Sequence, residues 1–423
     1  MKINIIDKLI SSENLFKSKY IELMKYELLC NLYHNGEQFS NPIVVKNKPQ
    51  NFTLDNAYYL IIKIFNLKRN SNNSSKILSS ANTTWNNEIQ KLGYNTVRPP
   101  WSLSNDLKIE TDYEIFLLYR KIKHCFKYKS FNFLVTDQFI SLLHKFYIKY
   151  SKFCVNQNYS GLVLLEYNSF FSKIALLIFK ELSKPTFFLH HGGIPTMYEK
   201  KIQDRCDYFI MWGKKQVEAY VSMGYNKKKF FVSGHPSYSS FPKKLKFDLD
   251  NILVINKSLM GAHPMEKPHQ EDKGNAIMYL NILQNVLKKV GVKNVTLKVH
   301  PSENINWYYN YIDNSFFKKP NSVDINHCLR SSTLVIGPAS TVIIDTIFSG
   351  LNYVVFEPNY NNKTILGWDI NPPIDGKDSR IPVAFNENEL FDILTKKIKI
   401  DVDVLEEFVQ QPLDISFFKE IIK

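Results

Sequence analysis

The sequence predicts an α/β protein built from two doubly wound domains, each a parallel sheet flanked by helices. Three observations lead there. Short apolar runs ending in polar or glycine-bearing loops alternate with helical patterns, which is the βαβ rhythm. That rhythm runs from Leu162 to Ser233, breaks at the polar stretch Pro242-Lys-Lys-Leu-Lys246, and restarts at Ile252. A length of 423 residues, at roughly 150 per domain, gives two or three domains that each bury a proper core.

Taken in order, the first hundred residues carry the weakest pattern. Lys76–Ser80 reads as a short strand, 83–93 as a helix stopped by Gly93, and Arg98-Pro-Pro-Trp101 as a break in regular structure. From Asp112 the pattern is helical: Phe139, Leu143, Phe146 and Tyr150 fall on one face, and Lys145, Lys149 and Lys152 on another. Then come strand Leu162–Leu165, helix 169–182, strand Thr186–His190, strand Tyr208–Met211, helix 214–223 and strand Phe230–Ser233. After the polar stretch follow strand Ile252–Ile255, helix 274–290, strand 295–299, helix 324–331, strand 334–336, helix 341–349 and strand Tyr353–Phe356. The tail from Asn386 is helical in two or three pieces. The expected domains are 1–245, 246–385, and a set of C-terminal helices, 386–423, returning to the first domain.

Composition narrows the class. Hydrophobic content of 44% is ordinary for a globular chain. A formal net charge of +14 calls for an anionic partner: a phosphorylated substrate, an acidic membrane face or nucleic acid. The five cysteines are odd in number, scattered, and nowhere C-x-x-C, which argues against a disulfide framework or structural zinc and for a reducing compartment. With no signal-like start and no run approaching a membrane span, the expectation is a cytoplasmic protein. The basic, aromatic segment from Arg120 to Lys152 reads either as a solvated face or as peripheral contact with an anionic inner-membrane surface. Nucleic acid is not the expected partner.

Candidate site residues sit where buried strands run out, because ligands of parallel sheets bind beyond the carboxyl ends of the strands. His300-Pro301 follows Val295–Val299. Ser340 and Thr341 begin a helix after Leu334-Val-Ile336, where unpaired backbone N–H groups face an anion. Lys257 and Ser258 follow Ile252–Ile255. Together these suggest a nucleotide phosphate pocket, with Lys257 read equally as a solvated lysine. His235 reads as a hinge residue and His263 as an exposed loop histidine. No Asp-x-Asp follows a strand, so metal binding has little support. In the first domain, His190-His191-Gly192-Gly193 ends a strand: either the glycines let backbone approach a ligand and a histidine serves proton transfer, or the glycines only shape a turn and one histidine is a packed, hydrogen-bonded neighbour. Glu166 also ends a strand. It is either a general acid or base, or the cap of the following helix.

These positions resemble bacterial glycosyltransferases of the GT-B fold that build capsule and lipopolysaccharide, two Rossmann-like domains facing a cleft. The likeness is greatest to enzymes using CMP-activated acidic sugars, the sialyl-, polysialyl- and Kdo-transferases, which carry a His-Pro and a Ser-Ser/Thr motif. His300-Pro301 and Ser340-Thr341 match those motifs, which implies a donor-binding role for the four residues. His191-Gly192-Gly193, Trp212-Gly213 and Gly234-His-Pro236 extend the likeness over roughly 160–360. The resemblance implies a metal-independent, cofactor-free transfer from a nucleotide-sugar donor to a glycan or glycolipid acceptor. The acidic Asp/Glu-Asp/Glu-Gly triplet of the sialyltransferases does not occur here, and Glu166 stands in a comparable place. Related glycerophosphate polymerases use a His-Gly histidine, matching His191-Gly192, so a CDP-glycerol- or CDP-ribitol-type phosphotransferase is the enzyme rival. A non-catalytic nucleotide-sugar or polysaccharide-binding protein is the rival outside catalysis.

Overall fold

The structure is a computed structural model that describes residues 5–34, 57, 59–61, 75–103, 108–190, 192, 206–257, 273–300, 305–360, 363–366, 370 and 374–422. The first sheet has seven parallel strands in the order β3-β2-β1-β4-β5-β6-β7. These are β1 (Lys76–Ser79), β2 (Asn95–Arg98), β3 (Lys108–Ile109), β4 (Gly161–Leu164), β5 (Thr186–Leu189), β6 (Tyr208–Met211) and β7 (Phe230–Val232). The second has six parallel strands, ordered β10-β9-β8-β11-β12-β15. They are β8 (Ile252–Ile255), β9 (Val295–Lys298), β10 (Phe317–Lys318), β11 (Leu334–Gly337), β12 (Tyr353–Phe356) and β15 (Val383–Ala384). A small antiparallel hairpin, β13 (Asn359–Tyr360) with β14 (Lys363–Thr364), hangs between β12 and β15.

Both sheets are wound alike. The chain starts at a central strand, moves outward on one side, then reverses to the other. The reversal lies between β1 and β4 in the first sheet and between β8 and β11 in the second. A crevice opens at such a switch point, beyond the strand ends. This is the GT-B arrangement that the resemblance implies.

Strand period explains the layers, because successive side chains point to opposite faces. In the first sheet Leu78, Val97, Leu162, Leu164 and Phe188 pack toward the helices of 113–181. Ile77, Val163, Phe187, Leu189 and Ile210 face the other way, against Trp85, Ile89 and the tail residues Phe417, Phe418 and Ile422. In the second sheet Ile252, Val254, Leu334, Ile336, Val354 and Phe356 meet the helix Lys273–Lys289. Leu253, Ile255, Val335 and Val355 meet the helix Val342–Phe348 and, from the first sheet's loops, Trp212. The two domains thus share one apolar cluster.

The helix Asp137–Gln157 shows how local sequence sets an element. Thr136 caps its start by accepting from Phe139 N–H at 3.3 Å, and Asn158 ends it with φ 49°. Its buried face carries Phe139, Leu143, Phe146 and Tyr150. The lysines opposite stay exposed, and Lys149 pairs with Glu114 at 2.6 Å. The helix Tyr113–Tyr128 likewise exposes Lys121, Lys123 and Lys127. The interleaved Phe126, Phe131 and Phe133 pack against the core instead of facing solvent. No helix among the described residues is long and apolar enough to cross a membrane.

The tail returns to the first sheet. After the helix Glu387–Lys396 and the turn Val402–Glu407, Gln410 N–H donates to Trp212 O at 2.7 Å and Asp414 N–H to Ser233 O at 2.8 Å. Phe417 then stacks on Phe231 and Phe418 packs against Phe187. At its other end the second domain takes in the polar stretch read as a linker: Lys246 forms a parallel bridge with Leu351.

Candidate functional site

The carboxyl edge of the second sheet brings four strand ends together. β11 runs into Gly337-Pro-Ala-Ser340-Thr341, which must pass very close to its neighbours. A Cβ on Gly337 would lie 2.4 Å from Ile255 Cγ1 and 2.6 Å from the Tyr353 hydroxyl, so only glycine fits. Tyr353 in turn donates its hydroxyl proton to Pro338 O at 2.6 Å. Ala339 N–H donates to Glu357 Oε1 at 2.7 Å. Glu357 directly follows β12 and is fully buried, and its Oε2 accepts no hydrogen bond among the described residues. Burial raises its pKa above the ordinary 4.5, against the pull of Lys257 and the Ala339 N–H. Lys257, at the end of β8, holds its ammonium 3.9 Å from Glu357 Oε1. It is therefore partnered with a buried acid rather than simply solvated. Asn256 beside it is buried, and its Oδ1 accepts from Lys257 N–H at 2.8 Å.

Ser340 and Thr341 are half-buried at the start of the Val342–Phe348 helix. Ser340 Oγ accepts from Val342 N–H at 3.4 Å, while the Thr341 side chain makes no capping bond. His300 opens to solvent just past β9. Desolvation by the surrounding protein, then repulsion from Lys298, lowers its pKa below 6.5, so it is neutral at physiological pH. One ring nitrogen can donate a hydrogen bond to phosphate. Cationic character at this edge comes from Lys257 and Lys298. Pro301, Ser258 and His263 lie outside the described residues.

Opposite stands the end of β5. His190 is buried, with Nδ1 2.9 Å from Gly192 O and Nε2 2.9 Å from the Tyr220 hydroxyl. Donation from Nδ1 to the carbonyl leaves Nε2 to accept from tyrosine. Gln216 Nε2 donates to the same Gly192 O at 2.8 Å. Two side chains therefore fix the Gly192 carbonyl, and His190 acts in positioning. Gly192 itself has φ +96°, and a Cβ there would sit 2.8 Å from Thr341 Cγ2. At this contact the carboxyl edges of the two sheets meet. His191 and Gly193, flanking Gly192, lie outside the described residues.

Glu166 takes the capping arrangement of its two readings. Its exposed carboxylate accepts from the N–H of Asn168, from Ser169 N–H at 2.5 Å, and from the hydroxyls of Ser169 and Ser172 at 2.8 and 2.9 Å. These groups open the helix Phe170–Glu181, where an acid is favoured by the helix dipole. Four donors fill the acceptor capacity of one carboxylate.

Sequence reasoning missed two acids. Glu357 was visible as the first residue after a fully apolar strand. Glu27 was not: it sits on the helix Lys25–His34, accepts from Phe170 N–H at 2.6 Å, and leaves Oε2 buried without a hydrogen bond among the described residues. Burial pushes its carboxyl up to about 7, opposed by the Phe170 N–H and by Lys173. His235 packs its ring 4.3 Å from Trp212, 5.0 Å from Tyr238 and 5.5 Å from Trp85, in an aromatic run joining the domains. Tyr238 continues that run onto Phe348 and donates to Asp345 Oδ1 at 2.5 Å. Among the described residues, no group of three or more His, Cys, Asp or Glu side chains is placed to hold a metal ion.

No protein-family model matches the sequence, and no curated protein matches it significantly. Among solved structures, the chain is similar to a putative UDP-N-acetylglucosamine 2-epimerase from Listeria monocytogenes. The identity is 11% and the TM-score 0.45, over 77% of this chain and 89% of that one. It is similar to the lipopolysaccharide outer core galactosyltransferase WaaB at 9% identity and TM-score 0.46, over 82% and 97% of the two chains. It is also similar to MurG of Acinetobacter baumannii at 10% identity and TM-score 0.43, over 82% and 98%. Such likenesses concern the course of the chain and say nothing of its substrate.

Proposed function

We propose that this protein is a nucleotide-sugar-dependent glycosyltransferase with its donor on the second sheet and its acceptor on the first. The observation that supports it most is the Gly192–Thr341 contact, which sets the carboxyl edges of two doubly wound sheets against each other. The donor phosphate would lie beside His300-Pro301, Ser340-Thr341, Gly337 and the Lys257-Ser258 strand end. Lys257 and Lys298 supply charge there, and His300 and the two hydroxyls supply hydrogen bonds. Stabilising the leaving phosphate is the second domain's part in catalysis.

The acceptor hydroxyl needs a base from the first domain. Of the two candidates, His191 is the better, because Glu166 would have to give up a cap hydrogen bond before it could take a proton. Gly192, which follows His191 in the chain, has its carbonyl held by His190 and Gln216. A CMP-activated acidic sugar is the proposed donor, resting on the His-Pro and Ser-Thr pair alone. A histidine base beside glycine also suits a CDP-glycerol or CDP-ribitol donor.

One screen separates these readings. Purified protein is tested by thermal shift against CMP-, UDP-, GDP- and CDP-linked donors, since a bound ligand raises stability by mass action. Donor hydrolysis is followed in the same samples. A shift with one nucleotide together with turnover supports the transferase. A shift without turnover, with acceptor glycans present, leaves a binding protein. No shift with any nucleotide rejects the proposal.

A further inference from the structure

The proposed function puts an acceptor on the first sheet without naming the groups that hold it, and the crevice of that sheet supplies them. Two adjoining cavities of about 410 and 170 Å³ open beyond β1, β2 and β4, and share Ser80, Pro99, Trp101 and Tyr119 as walls. Cavities of a few hundred Å³ suit a small ligand group. The inner one is aromatic and aliphatic, with Tyr150, Leu162, Leu164 and Phe171. The outer one carries Arg98, Arg120 and Lys123.

Two elements deliver these groups. Arg98 ends β2 and is 9% exposed, with Nη1 donating to Ala81 O, so its guanidinium is anchored at the crevice. Phe116, Tyr119, Arg120 and Lys123 follow i, i+3, i+4, i+7 spacing on the helix Tyr113–Tyr128 and so share one face of it. Trp101 stacks on Tyr119 with centroids 5.3 Å apart and planes 11° apart, an offset pair that makes a stepped aromatic wall. Arg120 is only 8% exposed, while Lys123 reaches solvent and lies over the Tyr119 ring at 5.6 Å. Three cations and no carboxylate are among the described lining residues.

We propose that this crevice binds an anionic sugar residue, a pyranose bearing a carboxylate or a phosphate ester. The ring lies against the Trp101–Tyr119 wall. The anion meets Arg98 and Arg120, whose planar forks match carboxylate and phosphate oxygens. Lys123 draws it in from the mouth. If the glycosyltransferase reading holds, on which this role rests, the acceptor is an acidic glycan with its charged residue held here.

The test is saturation-transfer NMR on the full chain with four probes: methyl β-glucuronide, glucose 6-phosphate, methyl β-glucoside and inorganic phosphate. At least one charged sugar should bind about tenfold or more tightly than the neutral glycoside, the loss of one charge-assisted contact being of that size. Arg120→Gln should weaken it by a similar factor. Lys123→Glu, at an exposed position, makes the same test if Arg120→Gln does not fold. Equal binding of charged and neutral sugars, or unchanged binding in Lys123→Glu, overturns the proposal. Phosphate binding as tightly as the sugar phosphate overturns the ring contact. Nucleotide thermal shift on the same samples keeps the two readings apart. Charged-sugar binding without nucleotide binding would sink the transferase and leave this site. Nucleotide binding without charged-sugar binding would do the reverse.

Discussion

The two switch-point crevices are built on the same winding, yet their side chains have almost nothing in common. The second-sheet crevice is backbone-rich: Gly337 pressed on Ile255, with half-buried hydroxyls and the lysines Lys257 and Lys298. The first is made of side chains, with a Trp101–Tyr119 wall and three cations. Backbone N–H groups and hydroxyls suit a phosphate that must be approached closely, whereas aromatic faces and arginine forks suit a ring with an attached anion. Fold supplies two equivalent places, and loops decide what each can hold.

Behind these differences the sheets share one device. Each has a buried carboxylate that accepts a loop N–H and lies near a lysine: Glu27 with Phe170 and Lys173, Glu357 with Ala339 and Lys257. Each ties down one backbone N–H beside its crevice, at the cost of a half-satisfied carboxylate inside the protein.

The largest expected effect separates the two strand ends of the first domain. His191→Asn should lower turnover by about 10²–10⁴-fold with donor affinity nearly intact, as loss of a general base does. Glu166→Gln should keep turnover within a few-fold of wild type and instead destabilise the fold by about 1 kcal/mol, as loss of a helix cap does. Steady-state rates and melting curves on both variants check this. The opposite pattern would return the base to Glu166.

Next in size is Gly192→Ala. The left-handed φ of +96° and the 2.8 Å approach to Thr341 both penalise a Cβ. The φ alone costs about 1–2 kcal/mol, and relieving the clash pushes the edges apart. Both KM for donor and kcat should suffer. Wild-type kinetics in this variant would mean that the two edges need not touch during the reaction.

Smaller effects come from the paired acids. Both have folded-state pKa values raised above 4.5, so the folded state holds its proton longer than the unfolded one. The contribution to stability is therefore complete below about 4.5 and is lost as pH rises through the folded value. Glu27→Gln should melt close to wild type in acid and a few degrees above it beyond about pH 7, where wild type carries a buried charge. Glu357→Gln should behave in the same direction. A gap that shrinks with rising pH would contradict the assigned cause. The smallest effect concerns Lys121, Lys123 and Lys127: any binding to acidic liposomes should fall as salt rises, about 1 kcal/mol per lysine near the surface being screened. Equal binding to neutral and acidic liposomes would leave these lysines as solvated charge.

The fold was legible where strands are continuous apolar runs. Ile252–Ile255, Tyr208–Met211 and Tyr353–Phe356 stand at their expected bounds because a strand buried on both faces has no polar side. β2 escaped notice because Asn95-Thr-Val-Arg98 is mostly polar and runs straight into two prolines. β3, β10 and β15, of two residues each, exist through pairing with a neighbour and leave no pattern of their own. Residues that end a strand could be placed by position: Lys257 follows β8 and His300 follows β9, as expected. Glu27 could not, because its partner Phe170 is 143 residues away. Arg98 and Arg120 converge only after β2 and the Tyr113–Tyr128 helix have packed.

The central claim is that nucleotide binds the second crevice and not the first. Calorimetric titration of the nucleotide identified by the donor screen tests it directly, at one pH and one salt concentration. The comparison is among wild type, His300→Ala, the double variant Ser340→Ala with Thr341→Ala, and Lys123→Gln. The account predicts about tenfold or greater weakening in the first two variants, one lost hydrogen bond to charged phosphate being worth about 1.5–3 kcal/mol, and wild-type affinity in Lys123→Gln. Wild-type affinity in the second-sheet variants with weakened binding in Lys123→Gln would put the nucleotide on the first sheet and contradict it.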